Sequence, residues 1–192
     1  ELAPLSALAA HLPLPDVVRE HVARHAPRGT LTEAAVDWEG PLAQPVTFRT
    51  RGTFHDLGVR AHESLPGFTR LSGAFEATER GGSLRLSSRE ATIDLPRVLF
   101  EPLVVDTASG RIHWNRDASG VEVRLEDVEF ANADLAGKAS GTWSSRAKGP
   151  GFVDLTARLT RGDVRRLHAY LPRSISAQTR IWVRDSLLAG TA

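Results

Sequence analysis

The segment LSGAFEATERGGSLRLSSREATID, residues 71–94, contains the pattern that runs through most of this chain. Leu84 and Leu86 would point to one side of an extended chain, and the polar residues between and around them to the other. This period of two residues is typical of a β-strand with one dry and one solvated face. The run RGGS, residues 80–83, predicts a tight hairpin turn, because glycine readily adopts the positive φ that such turns require.

The same alternation extends from Gly29 to Thr160. Short polar and glycine-rich runs such as DASG (117–120) and KGPG (148–151) interrupt it, and such runs indicate turns. No long helical pattern lies between the strands, as a parallel sheet would require. We therefore predict a mainly β fold, an antiparallel meander of about eight or nine strands.

One face of this predicted sheet is apolar and must be covered. Two solutions exist: the sheet closes as a sandwich or barrel, or it curls into an open trough whose lining another molecule covers. The residues predicted to line that face are Phe48, Phe54, Phe75, Leu84, Leu86, Ile93, Leu95, Ile112, Trp114, Val121, Val123, Leu125, Phe130, Leu135, Trp143, Val153, Leu155 and Leu159.

Three of the tryptophans, Trp38, Trp114 and Trp143, are each predicted near the end of a strand. Packing at the edge of a core is the ordinary role of such residues, and stacking on sugars or anchoring an interface are the alternatives. Trp182 lies in a predicted C-terminal helix and is expected to dock that helix against the sheet.

Short helices are predicted at both ends of the chain, and the two ends share a phrase. Leu-x-Ala-x-Leu-Pro followed by a helical stretch and Gly-Thr occurs at residues 8–30 and again, after a small difference in length, at residues 167–191. We interpret the phrase as a repeated helical joint. The predicted organisation is a joint from a preceding repeat (1–28), a β-unit (29–161) and a joint leading to the next repeat (162–192), in an internal piece of a longer protein.

Composition argues against several classes of function. A formal net charge of +1 without a basic run disfavours a nucleic-acid binder. Cysteine is absent, and His21 and His25 do not form a His-Glu-x-x-His motif, so no metal site is expected. Without a Gly-x-Ser-x-Gly or phosphate-binding glycine motif, we expect no enzymatic activity and no cofactor.

The sequence of the predicted strands and turns resembles that of the YhdP family of AsmA-like envelope proteins. The resemblance is carried by PGFTRLSGAFEATERGGSLRLSSREATIDLPRVLFEPL (66–103), SGRIHWN (109–115) and LEDVEFANADLAGKASGTW (125–143), and by the closing Tyr-Leu-Pro…Trp…Leu-Leu-x-Gly. It covers most of residues 29–190 and rests on strands and turns, without a catalytic signature.

That resemblance implies a periplasmic protein, anchored in the inner membrane by a helix outside this chain and similar to TamB and the bridge-like lipid transfer proteins. It also implies the open trough, with phospholipid acyl chains along the lining. The implied partners are those lipids, neighbouring repeats of the full-length chain, and components of both membranes.

Overall fold

The computed structural model describes residues 1–2, 25–41, 46–62, 66–145 and 151–187. Eight strands account for most of them, and two short helices follow the last strand. The strands are β1 (Arg28–Glu39), β2 (Thr47–Val59), β3 (Gly67–Thr78), β4 (Gly81–Asp94), β5 (Leu103–Asp117), β6 (Gly120–Ala131), β7 (Leu135–Ser144) and β8 (Phe152–Gly162).

The strands form one antiparallel sheet in the order of the chain, from β1 to β8. This confirms the predicted meander. Among the described residues β1 and β8 do not pair with each other, so the sheet is not closed into a barrel. We call the strand ends that carry the β3–β4 turn (79–80) and the β5–β6 turn (118–119) the turn end, and the opposite ends, beside the C-terminal helices, the helix end.

The β3–β4 hairpin differs in detail from the prediction. Its turn residues are Glu79 and Arg80, and Gly81 and Gly82 are the first residues of β4. Gly82 is glycine for a packing reason, because the ring of Trp114 occupies the place that a Cβ would need. By contrast the DASG turn is confirmed: Asp117 Oδ1 accepts hydrogen bonds from the backbone N–H groups of Ser119 (2.7 Å) and Gly120 (3.2 Å).

A row of β-bulges crosses the sheet. Register shifts between neighbouring strands coincide with non-glycine residues at φ between +47° and +57°. A bulge adds a residue to one strand, bends it and increases its twist. A row of them therefore bends several strands along the same line. The residues are Glu33 in β1, Asp56 in β2, Arg70 in β3, Glu90 in β4 and Asp127 in β6.

Serine hydroxyls satisfy backbone amides that the bulges displace from the ladder. The N–H of Asp56 donates to Ser72 Oγ (3.1 Å), and that of Ser72 donates to Ser88 Oγ (2.9 Å). The N–H of Asp127 donates to Ser140 Oγ in the same way (3.3 Å). Because an unpaired amide inside a sheet is costly, these hydroxyls help to hold the bulges in place.

Two short helices follow β8. The first, Val164–Tyr170, is a 3-10 helix rather than an α-helix, and the side chain of Asp163 caps its N-terminus by accepting the N–H of Arg165. The second, α1 (Ala177–Ser186), is an α-helix capped by Ser176. The helices predicted near the N-terminus, and with them residues 8–24 of the first copy of the repeated phrase, lie outside the described residues, whereas its closing Gly29 and Thr30 lie in β1.

The helices dock on the β4–β5 connection through arginine side chains. The guanidinium groups of Arg173 and Arg180 lie 4.6 Å and 3.5 Å from the centre of the Phe100 ring, within cation–π distance. Arg173 Nε also donates to the carbonyl of Leu99 (2.7 Å). The expected docking by Trp182 is wrong, since that side chain is 65% exposed.

Candidate functional site

Cross-strand register assembles the predicted lining on one face of the sheet. Residues that pair directly across strands point to the same side, and so do residues two apart within a regular strand. We call the resulting surface the apolar face. One of its rows runs through Phe75, Leu84, Ile112, Leu125 and Leu155, and a second, nearer the turn end, through Trp114, Val123, Trp143 and Val153.

The centre of the apolar face is packed. Phe54 is 4% exposed and pairs with Gly73, whose missing Cβ would lie 3.0 Å from Phe54 Cζ. Gly52 likewise leaves room for the ring of Phe75, which packs over it. The centre of that ring lies 6.4 Å from that of Phe54. An aromatic ring lying over a strand glycine covers backbone that would otherwise be exposed. This exchange of large and small residues lets a single sheet bury the ring of Phe54 and partly cover that of Phe75.

Nearer the helix end the same face is covered by small, tightly packed residues. Leu86, Ala91, Val105 and Ala108 are at most 7% exposed and form one cluster, with Leu71 packed against it. On β4 and β5 little apolar surface is therefore available at that end of the face.

Toward the two outer strands the apolar face is open. The side chains of Val153, Leu155 and Leu159 on β8 and of Val36 and Trp38 on β1 are each at least half exposed. Large apolar side chains exposed in a contiguous patch mark an interaction surface rather than a solvated one.

The predicted lining residues all lie in strands except Leu95, which follows β4 and whose carbonyl accepts from the N–H groups of Val98 and Leu99. Sequence reasoning missed Leu31 and Val36, which join the face by pairing with Phe54 and Thr50. The bulge in β1 lies between them. Before the bulge the odd-numbered residues point to the apolar face, and after it the even-numbered residues do. A strict period of two therefore could not include both.

The opposite face is charged and carries a concavity of about 540 Å³. Arg51, Arg85 and Arg111 are among the residues that line it. The carboxylate of Glu126 on this face lies 3.7 Å from Arg111 Nε and 3.3 Å from His113 Nε2. We call this the polar face.

The motif residues near the helix end form a hydrogen-bonded network. Asn132 Nδ2 donates to the carbonyl of Val104 (2.8 Å) and to the hydroxyl of Tyr170 (3.0 Å). That hydroxyl donates to Asp134 Oδ2 (2.9 Å), which also accepts from Arg166 Nε (3.2 Å). The network ties the 3-10 helix to the β6–β7 turn, so the Ala-Asn-Ala-Asp-Leu and Tyr-Leu-Pro motifs act together as one joint.

Tyr170 is the only tyrosine in the chain, so its ionisation can be followed directly. Burial raises its pKa above the ordinary value of 10.0, and the donated bond to Asp134 acts in the same direction, while the bond from Asn132 opposes them. Tyrosinate absorbance should therefore rise at higher pH in the folded protein than in urea. Because the folded pKa is the higher one, this group's contribution to stability is complete below pH 10 and is lost as pH rises through the folded value. Titration of the folded chain at or below pH 10 would contradict the network.

In the part of the chain that the structure describes, every helix is too short or too polar to span a lipid bilayer. No group of three or more histidine, cysteine, aspartate or glutamate side chains in these segments is placed to hold a metal ion.

Comparison with known proteins places the chain in a family. No curated protein and no solved structure matches it. A family model described as YhdP protein matches residues 1–192, which is the whole chain. The sequence motifs that resemble the family include residues with a structural role. Ser72 and Ser140 accept backbone N–H groups at the bulges, and Asn132, Asp134 and Tyr170 form the hydrogen-bonded joint. The chain belongs to the YhdP family.

Proposed function

We propose that this chain is a segment of a lipid transport protein and that its apolar face shields the acyl chains of phospholipids as they pass between the inner and outer membranes. The observation that carries the proposal is an apolar face on a single, unclosed sheet, with exposed large side chains at both outer strands. Membership of the YhdP family supports the same reading.

The energetics favour a lipid over water on this face. Removing apolar surface from water lowers the free energy by about 25 cal/mol per Å², or about 2.5 kcal/mol for each 100 Å². Acyl chains can supply that cover without fixed hydrogen bonds, so a lipid can slide between equivalent rows of side chains. The process requires no catalytic group, and we propose a non-enzymatic role.

The whole protein is proposed to work in the periplasm, anchored in the inner membrane by a segment outside this chain. Its partners in that role are neighbouring repeats of the same protein and components of both membranes. The closed sandwich considered from the sequence is not supported, because the outer strands of the described sheet do not meet.

Lipid capture tests the proposal. The purified chain should carry phospholipid that organic extraction and mass spectrometry detect, and it should take up a fluorescent phospholipid from vesicles. A soluble β-sandwich of similar size, purified from the same cells, serves as the control. If extract and uptake both equal the control, the apolar face is covered by protein instead, and the proposal fails.

A further inference from the structure

We infer that a bound phospholipid lies with its phosphate at the turn end of the strands, beside Arg116, and with its acyl chains directed toward the helix end. This inference rests on the proposed function and adds the orientation of the ligand and the residue that recognises its head group. Three features of the structure support it: the placement of the tryptophans, the free charge of Arg116, and the contrast between the two strand ends.

The tryptophans of the strands all lie at the turn end of the apolar face. Trp38 is next to the last residue of β1, Trp143 is next to the last residue of β7, and Trp114 lies three residues before the end of β5. Trp114 and Trp143 both pair with Val123, and Trp38 pairs with Phe48. Tryptophan favours the boundary between apolar chains and polar head groups, because its ring is apolar and its N–H remains hydrated.

A cation stands just beyond this aromatic row. Arg116 pairs with Val121, which places its side chain on the apolar face, two residues further toward the turn end than Trp114. It is exposed, and no ion pair or side-chain hydrogen bond joins it to another part of the described chain. Its backbone N–H donates to the carbonyl of Arg80 (2.7 Å), which brings the β3–β4 turn alongside. A guanidinium group in this position suits a phosphate.

The nearby carboxylates are engaged elsewhere. Glu79 accepts the N–H of Phe48 (3.2 Å) and lies 3.6 Å from Arg80, and its pKa is lowered by backbone hydrogen bonds. Asp117 accepts from the residues of its own turn. Neither carboxylate is paired with Arg116, so among the described residues that guanidinium has no anionic partner and can bind the phosphate of a ligand.

The helix end differs from the turn end, because the arginines that dock the helices, Arg173 and Arg180, stack on the ring of Phe100. The apolar face there is the buried cluster around Ala91 and Val105, and no tryptophan of the strands lies near it. The charged groups beyond the cluster, Asp134 and Arg166, are bonded to each other and to Tyr170. On the apolar face of the strands, tryptophan rings and an exposed arginine without an ion pair among the described residues therefore occur together at the turn end.

Depth-dependent quenching tests the orientation. A variant that keeps Trp114 as its only tryptophan (Trp38, Trp143 and Trp182 replaced by phenylalanine) is loaded with phosphatidylcholine brominated either at carbons 6 and 7 or at carbons 11 and 12. Bromine near the head group should quench Trp114 at least about twofold more strongly than bromine near the chain end. Equal quenching, or stronger quenching by the distal bromine, would overturn the inference.

Charge removal tests the recognition of phosphate independently. Arg116→Gln should weaken uptake of phosphatidylglycerol by about three- to tenfold, and leave uptake of diacylglycerol with the same chains unchanged. Arg85→Gln is the matched control, because it removes from the polar face an exposed arginine that has no ion pair with another described residue. If Arg116→Gln affects both lipids equally, or neither, the head-group assignment is wrong while lipid binding stands. If the unaltered chain takes up neither lipid, the proposed function fails together with this inference.

Discussion

Leu155→Asp should lower phospholipid uptake by at least about tenfold while the chain stays folded. Leu155 lies on the apolar face of β8 and is 50% exposed, so its side chain is available to a ligand. An ionised carboxylate against acyl chains costs more than the 1.4 kcal/mol that corresponds to a factor of ten. In water the same carboxylate stays hydrated on an outer strand, and the melting temperature should fall by no more than about 4 °C.

Thr156→Asp is the control for this experiment. Thr156 is the next residue of the same strand and is also exposed, but it pairs with Ser140 and points to the polar face. It therefore introduces the same charge without touching the lining, and uptake should match that of the unaltered chain. Equal uptake by Leu155→Asp and Thr156→Asp would show that this part of the apolar face does not bind lipid. Unfolding of Leu155→Asp alone would instead indicate that Leu155 is covered by protein.

Phe54→Ala should cost about 3–5 kcal/mol of the free energy of unfolding, which is the usual loss for a buried phenylalanine. Phe54 is 4% exposed and lies over Gly73 beside the ring of Phe75. Removing its ring leaves a cavity and uncovers the backbone at the glycine. The melting temperature should fall on the order of 10 °C in a chain of this length.

Phe152→Ala provides the comparison, because Phe152 is 51% exposed and pairs with Ser144 on the polar face. We expect it to change the unfolding free energy by less than about 1 kcal/mol in urea titrations. A Phe54→Ala variant as stable as Phe152→Ala would mean that the centre of the apolar face is not packed in solution.

Much of the sheet could be predicted from residue alternation, because a strand with one dry face must repeat every two residues. Leu84 and Leu86 on β4, or Val121 and Val123 on β6, fall on the apolar face as expected. Alternation fails where a bulge intervenes. Leu84 and Leu86 are even-numbered and Ile93 is odd-numbered, yet all three belong to the single strand β4, and the change of phase occurs at Glu90.

Contacts between distant residues could not be predicted from one sequence. The hydrogen bonds of Tyr170 with Asn132 and Asp134 join residues 36 to 38 positions apart, and the periodicity of the sequence does not indicate such a contact. The docking of Arg173 and Arg180 on Phe100 is of the same kind. Trp182 is predicted to dock its helix against the sheet, because tryptophan is usually packed. In the structure its side chain is exposed, and the stacking of Arg173 and Arg180 on the Phe100 ring docks the helices instead.

Every strand of this sheet pairs only with the strands immediately before and after it in the chain. Contacts of this local kind form without closing long loops, so the sheet can assemble one hairpin at a time as the chain emerges during synthesis. The same connectivity resembles that of repeat proteins, in which each unit contacts only its neighbours. Inserting or deleting two consecutive strands would leave the remaining turns at the same ends of the sheet and the remaining apolar side chains on the same face. The span of such a protein can therefore change in steps of one hairpin, without a new fold.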